Sequence, residues 1–269
     1  MAGARAGRER SAGAAPDLSA AAGWERELRR LGSAERAAQE KAYLKSDREF
    51  AGVSMPVMRS LVKSWLAARA GAGRDEVTSL AVQLWASPLH ECRQCAVVLL
   101  EATSAGLVPA DLELVEEFLR TSFTWALVDG LAANVAGDLV ERYPELGRTL
   151  DRWARDENFW IRRSALLALL RPLRRGGGDF GRFAGYADAM LGEREFFIRK
   201  AIGWVLRETG KKRPDLVARW LGPRVDRASG VTVREAVKPL PPPVREVLLA
   251  GYRDKRPVRC EHVDSVIIG

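Results

Sequence analysis

Asp129 stands in the segment Trp125-Ala126-Leu127-Val128-Asp129-Gly130-Leu131-Ala132, where every other side chain is apolar or absent. A carboxylate in that setting needs a basic partner from elsewhere in the chain or has a functional reason to be there. Trp125 lies four positions earlier and shares its helix face. Arg163, on the next inner helix of a stacked array, is the natural neighbour. Two readings stand open: a plain Asp129–Arg163 ion pair between stacked helices, and an acid that acts on a ligand. A second indole, Trp204, falls one helical turn after Lys200 and would place a flat aromatic beside a cation. The alternative for Trp204 is a core position, a common fate of tryptophan. A third constellation is Cys92-x-x-Cys95 beside His90, with Cys260 near His262, which has ligand types suited to zinc. Cys92 and Cys95 occupy the places of Ile161 and Ser164 in a later repeat, so they read as small core residues and no metal is expected.

The elements that must position these residues are announced by a recurring helical phrase. It reads Glu91-Cys92-Arg93-Gln94-Cys95-Ala96, Trp160-Ile161-Arg162-Arg163-Ser164-Ala165, Phe197-Ile198-Arg199-Lys200-Ala201-Ile202 and Thr232-Val233-Arg234-Glu235-Ala236-Val237. Its arginines are separated by 69, 37 and 35 residues, the first interval being about two periods. Self-similarity at that period marks a solenoid of helix pairs, with one inner helix per repeat. The position after each arginine, Gln94, Arg163, Lys200 or Glu235, is polar in every copy and is expected to face the groove. Arg162 and Arg199 either tie adjacent repeats together or touch a ligand.

Apolar residues recur at three- and four-residue spacing over nearly the whole chain, and alternating strand segments are not found. Asp17 or Ser19 opens a first helix through Glu25–Leu31, Ser33 caps a second carrying Tyr43 and Lys45, and Ser54 with Pro56 starts a third through Trp65. Gly71–Gly73 separates this unit from paired helices near 75–86 and 89–104, and 109–121 and 124–142. A helix near 145–155 follows, then a long one at about 158–173. After Gly176-Gly177-Gly178 come helices near 179–191, 194–209, 214–221, 230–238 and 242–253. The expected class is all-α, a HEAT-like helical-repeat solenoid with a concave basic groove. One domain is expected over 17–254, with a disordered basic tail at 1–16 and an irregular tail at 255–269.

Composition narrows the partners. The chain of 269 residues carries 43 Lys and Arg against 35 Asp and Glu, a net charge of +8, which favours a polyanion such as nucleic acid. Three cysteines do not make a disulfide scaffold. The first fifteen residues lack the apolar centre of a signal peptide, and no apolar run is long enough to span a membrane. Cytoplasmic residence, in contact with DNA, is the expectation.

At these residues the sequence resembles the AlkD-type family of DNA alkylpurine glycosylases, from about Lys41 to about Lys238. The resemblance is carried by Tyr43-Leu44-Lys45, Phe50-Ala51-Gly52-Val53 and Pro56-x-x-Arg59, by Thr124-Trp125 with Asp129, and by Asn158-Phe159-Trp160-Ile161-Arg162-Arg163. It is carried above all by the run from Glu195 through Trp204 to Glu208, which is long and unusual. The resemblance implies that Asp129 is the catalytic aspartate and that Trp125 and Trp204 flank the lesion-bearing nucleotide. It implies that Tyr43 lies at the same site and that Arg163 lies against the DNA backbone near it. The extended N-terminus, the Gly71–Asp75 loop and the C-terminal tail depart from the family pattern and bear on substrate range.

The implied activity is hydrolysis of the N-glycosidic bond of cationic N3- or N7-alkylated purines in duplex DNA, without base flipping, leaving an abasic site. A purine alkylated there carries a positive charge and is already a good leaving group, so the enzyme need only stabilise the cationic sugar and position a water. A carboxylate suits both tasks, and indole faces attract cations. Lys45, Arg59, Arg163, Lys200 and Arg207 are candidates for phosphate contacts, which position without reading sequence. A monomer without cofactor is expected, serving base-excision repair or self-resistance to a bulky DNA-alkylating natural product. The alternative is a non-catalytic solenoid that binds DNA or protein in the same groove.

Overall fold

The computed structural model describes residues 18–259 and 261. The expected tail at 1–16, Asp17, Cys260 and His262 therefore lie outside the described residues, as does much of the C-terminal tail. The described residues form helices and turns throughout; their one β contact is an isolated parallel bridge between Glu49 and Leu89.

An N-terminal unit comprises α1 (Ala21–Leu31), α2 (Ala34–Leu44) and α3 (Met55–Ala68). Helices α4 (Arg74–Ala86) and α5 (His90–Ala102) pair, and α6 (Asp111–Arg120) precedes α7 (Trp125–Gly130) and α8 (Gly137–Arg142). Then come α9 (Gly147–Trp153), α10 (Phe159–Leu167), α11 (Leu170–Arg174), α12 (Phe180–Met190) and α13 (Phe196–Gly210). The array closes with α14 (Pro214–Leu221), α15 (Gly230–Ala236) and α16 (Pro242–Asp254). The inner row is α5, α7–α8, α10–α11, α13 and α15, each packed on the next in chain order. One apolar cluster runs beneath them from Leu18 to Val258, with Trp24 and Trp153 fully buried. The molecule is thus an all-α helical-repeat protein.

Four of the inner helices, α7, α10, α13 and α15, share a way of starting. Thr124, Asn158, Glu195 and Ser229 each accept a hydrogen bond at the N-cap, from the N–H of Ala126, Trp160, Phe197 and Thr232 respectively. Each such cap contributes on the order of 1 kcal/mol and fixes where the helix begins. Ser33 caps α2 as expected, accepting from Arg36, whereas Ser54 stands at the N-cap of α3 without a side-chain hydrogen bond. The first helix opens at Ala21 with Ala20 at its N-cap and no side-chain cap.

Two local features depart from the periodicity. Residues 124–142 form the single rod expected, but its middle, Leu131–Ala136, is a wide π-helical stretch. The expected helix over 158–173 is broken between α10 and α11 at Ala168 and Leu169. Pro172 explains the break: it has no N–H to give, and its ring crowds the carbonyl four residues back, at Ala168. That freed carbonyl lies against α8, where a Cβ on Gly137 would stand 2.8 Å from the Ala168 oxygen.

Three of the four repeated arginines, Arg93, Arg162 and Arg199, are held by hydrogen bonds to nearby turns. Arg93 donates to the Thr121 carbonyl at 2.7 Å, at the turn that leads into α7. Arg162 makes a similar reach two repeats later, bonding both Glu193 carboxylate oxygens at 2.9 and 2.8 Å and the carbonyls of Asp156 and Glu157. Arg199 donates to the Glu193 carbonyl at 2.7 Å. Arg199 thus braces the turn that precedes its own helix; of the two roles left open, the Arg162 contacts answer to a tie between repeats. A guanidinium suits it because its planar fork serves several acceptors at once.

Candidate active site

Helix α7 is short, and its faces are sharply divided. Leu127 and Val128 are fully buried, while Trp125, Ala126, Asp129 and Gly130 look into a cleft of about 400 Å³. The opposite walls come from Met55 and Arg59 of α3, Glu101 of α5, Arg171 of α11 and Trp204 of α13. Residues separated by more than a hundred positions therefore meet because the inner helices stack. Trp204 is half-buried: it lines this cleft and also packs against the core. The π-helical stretch begins one residue after Gly130, and wide turns of this kind concentrate at functional sites.

Asp129 is held by a two-pronged clamp. Arg163 Nε donates to Oδ1 and Nη2 to Oδ2, both at 2.8 Å. The third arm, Nη1, donates to the Phe197 carbonyl, so one guanidinium ties α7, α10 and α13 together. The burial is unequal: the Arg163 side chain is 3% exposed and that of Asp129 20%. Arg163 stands behind the carboxylate, and in this structure it presents no surface to a phosphate, unlike the arginine the resemblance implies. The open side of Asp129 faces the cleft.

Tyr43 is 72% exposed and meets Trp125 edge to face, with ring centroids 6.0 Å apart at 89°. It is carried by α2, which buries no residue of its own. What places α2 is the loop behind it. Glu91, fully buried at the start of α5, accepts the N–H groups of Ala51, Gly52 and Val53, the shortest at 2.6 Å. Gly52 has φ +76°, and a Cβ there would stand 2.1 Å from the Ser33 carbonyl oxygen, so only glycine lets the loop close on the first turn of α2. Lys45 and Phe123, two residues from Tyr43 and Trp125, both adopt left-handed backbone with φ 50° and 53°. Phe123 is 71% exposed, and the two residues line one surface depression with Ser122 and Pro88.

The remaining expected cations divide. Arg59 is exposed on the cleft wall and Lys45 is exposed beside it; among the described residues neither forms an ion pair. Lys200 instead bonds Glu235 at 2.8 Å, and Arg207 bonds the same carboxylate. Burial pushes the Glu235 carboxyl up, but hydrogen bonds from Lys200 and Lys238 outweigh it and hold the group down at about 2. The polar residue after each repeated arginine is thus not a simple groove-facing position. Gln94 lines the cleft while buried, Arg163 is buried against Asp129, and Lys200 and Glu235 satisfy each other.

Cys92 and Cys95 are fully buried in the core, and burial pushes the Cys92 thiol up to about 11 and Cys95 well above its usual value. His90 stacks on Phe50 at 4.6 Å and is depressed to about 4 by burial and by Arg48 and Arg93. Burial of this kind disfavours the thiolate that would bind a metal. Four polar cleft residues escaped the sequence reading, Glu101, Asn134, Arg171 and Arg174. Asn134 Nδ2 donates to Glu101 Oε1 at 2.8 Å. The available signal was Glu101 itself, a second carboxylate following an apolar run, Ala96 to Leu100, on an inner helix.

The solved structures similar to this chain share its architecture. A predicted DNA alkylation repair enzyme from Enterococcus faecalis superposes with a TM-score of 0.70 at 24% identity, over 77% of this chain and 96% of that one. AlkD2 from Streptococcus mutans superposes with a TM-score of 0.51 at 18% identity, over 76% and 99%. A further Streptococcus mutans protein, smu.31, gives 0.54 at 18% identity, over 80% and 100%. Among curated proteins none matches significantly. Residues 24–240 match the family model described as DNA alkylation repair enzyme, and the chain belongs to that family.

Proposed function

We propose that the protein is a DNA glycosylase that hydrolyses the N-glycosidic bond of cationic N3- or N7-alkylated purines in duplex DNA. The observation that carries this reading is the convergence of Trp125, Asp129 and Trp204 on one cleft, with the carboxylate oriented from behind by Arg163. As the C1′–N bond breaks, its electron pair passes to the base and cancels the positive charge there. The sugar becomes cationic, a water oxygen bonds to C1′, and one water proton leaves to solvent. Asp129 stabilises the sugar cation and orients the water. Trp125 and Trp204 offer indole faces to the cationic nucleotide, worth about 0.5–2 kcal/mol each depending on desolvation. The base leaves without entering a protein pocket, so bulky adducts are accepted alongside methylated purines. Base-excision repair and self-resistance to an alkylating natural product use the same chemistry.

In this reading residues 17–254 act as one HEAT-like domain and a monomer binds the duplex along a concave basic face, with Arg59 and Lys45 on phosphates near Tyr43. The net charge of +8 supports a polyanionic partner. The protein works in the cytoplasm, on the chromosome.

One observation favours a second reading. The Asp129 carboxylate already has a structural partner in Arg163, as a non-catalytic DNA-binding scaffold would require. Release of 7-methylguanine from alkylated duplex DNA by wild type and Asp129→Asn separates the two. A glycosylase releases base, and the variant is on the order of 100- to 1000-fold slower. A wild-type protein that binds the duplex and releases nothing is a scaffold.

A further inference from the structure

The cleft holds two carboxylates in different electrostatic states. Asp129 is matched by a guanidinium that contacts both of its oxygens. Glu101 has no such partner: among the described residues its one side-chain hydrogen bond comes from the neutral amide of Asn134, at 2.8 Å, and it joins no ion pair. Of the other cations lining the cleft, Arg171 donates to the Asn134 carbonyl at 3.3 Å and pairs with Asp138 at 3.6 Å, Arg174 pairs with Glu208 at 3.1 Å, and Arg59 forms no ion pair among the described residues. Glu101 therefore brings a negative charge to the cleft that no contacting cation neutralises.

Its position is built. Glu101 is partly buried at the end of α5, and Gly130, the residue after Asp129, makes room for it. A Cβ on Gly130 would stand 2.7 Å from Glu101 Oε1 and 2.7 Å from Val97 Cγ1. Asn134, one turn further along the same rod, holds that same oxygen. The second carboxylate is thus packed against the backbone that carries the first. A charge in a partly water-excluded cleft acts more strongly than one in open solvent.

We propose that Glu101 is a specificity-determining residue of this site, selecting a cationic nucleotide over a neutral one; this rests on the glycosylase reading above. Arg163 orients Asp129 but also cancels much of its charge at contact distance. Glu101 adds a negative charge with no contacting cation to a cleft that Arg59, Arg171 and Arg174 also line, and this charge attracts the alkylated purine and then the cationic sugar. The division of labour is geometric: Asp129 is aimed, and Glu101 is charged.

The test pairs base release with binding. Duplexes carrying a pyrrolidine abasic analogue, which is cationic, and a tetrahydrofuran analogue, which is neutral, are titrated with wild type, Glu101→Gln and Glu101→Asp. Gln keeps an oxygen for Asn134, and affinity for the neutral duplex reports that the fold and groove are intact. The expected result is that Glu101→Gln loses about tenfold of the preference for the cationic duplex and slows 7-methylguanine release by about 10- to 100-fold, with Glu101→Asp between. The preference of wild type should shrink with added salt and that of Glu101→Gln should change less. If wild type releases base and Glu101→Gln keeps its full cationic preference, the assignment of Glu101 is overturned and the glycosylase reading stands. If wild type releases no base, both fall.

Discussion

A double-mutant cycle on Asp129 and Arg163 separates the structural work of the pair from its chemistry. Asp129→Asn leaves the guanidinium of Arg163, 3% exposed, facing one amide oxygen and one amide nitrogen in place of two carboxylate oxygens. Removing one partner of a buried pair costs about 3–5 kcal/mol. The amide oxygen still accepts one charge-assisted bond, which lowers the expected loss to about 2–3 kcal/mol. Arg163→Met fills the stem volume and strands Asp129, but that carboxylate is 20% exposed and hydrates from the cleft. The Phe197 carbonyl loses a donor as well, so about 2 kcal/mol is expected. The double variant leaves neither charge unmatched, and its loss of stability should fall short of the sum of the single losses by about 1–2 kcal/mol.

Activity should follow a different rule. At about 2–4 °C per kcal/mol for a domain of this size, Asp129→Asn melts roughly 5–10 °C lower, so release assays are run well below every Tm. Per folded molecule, Asp129→Asn should lose about 100- to 1000-fold of base release. Arg163→Met should lose less, through misplacement of an acid that is still present. The double variant should be as slow as Asp129→Asn although its stability has partly recovered. Base release that recovers together with stability in the double variant would show that Asp129 matters only as a strut, and the assignment of chemistry to it would be refuted.

Four further outcomes follow from particular side chains. Glu116 is pushed up by burial but held down at about 2 by Arg152, Trp153 and Arg120, and Glu235 sits at about 2 as well. Both depressed acids contribute stability that is present above about pH 4.5 and lost as pH falls toward 2. His90, depressed to about 4, adds an earlier loss between about pH 6.5 and 4; urea midpoints measured from pH 7 to 2 should fall in that order, and Glu116→Gln should flatten the lower part. Trp204→Ala should cut base release with a modest loss of Tm, whereas Trp153→Ala, in the core at 0% exposure, should cost about 3–5 kcal/mol. Arg59→Ala should weaken duplex binding and lower the slope of log K against log salt by about one, whereas Arg162→Ala should lower Tm and leave that slope unchanged. Phe123→Gly should relieve a left-handed backbone at little packing cost, so its unfolding free energy should rise by about 0.5 kcal/mol, read as a higher urea midpoint; a falling midpoint would mean that Phe123 is packed and not merely exposed.

The helical array was legible because its signals are local. Period, caps and breakers lie within a few residues of what they specify, and Thr124, Asn158 and Pro214 mark real helix starts. The break between α10 and α11 was legible too, in Pro172, but the apolar periodicity runs on through it and outweighs one residue. What could not be read was which polar residues would find each other. Lys200 and Glu235 fall at the same position of two copies, and comparing copies suggests a shared surface. Stacking sets one repeat's residue against the next repeat's, so equal positions become partners. The same one-repeat offset gives Asp129 to Arg163 and Glu101 to Asn134, at sequence separations of 34 and 33 residues.

That offset explains why the cleft has its composition. An inner helix in such an array offers one side to the preceding repeat and one to the next, and a buried charge on it must be matched there. Arg163 is matched backward by Asp129 and forward by the Phe197 carbonyl, and Arg162 forward by Glu193. Near the middle of the row the matching is incomplete: Asp129 keeps an open side, Glu101 has a neutral partner only, and Arg59 has no ion pair among the described residues. These unmatched groups come from three different helices and border one volume with two indoles. A structural network satisfies its charges; a site that must receive a charged ligand leaves some of them unsatisfied until the ligand arrives. The pattern of pairing along the array, rather than any single residue type, is what distinguishes the cleft from the paired arginines on either side of it.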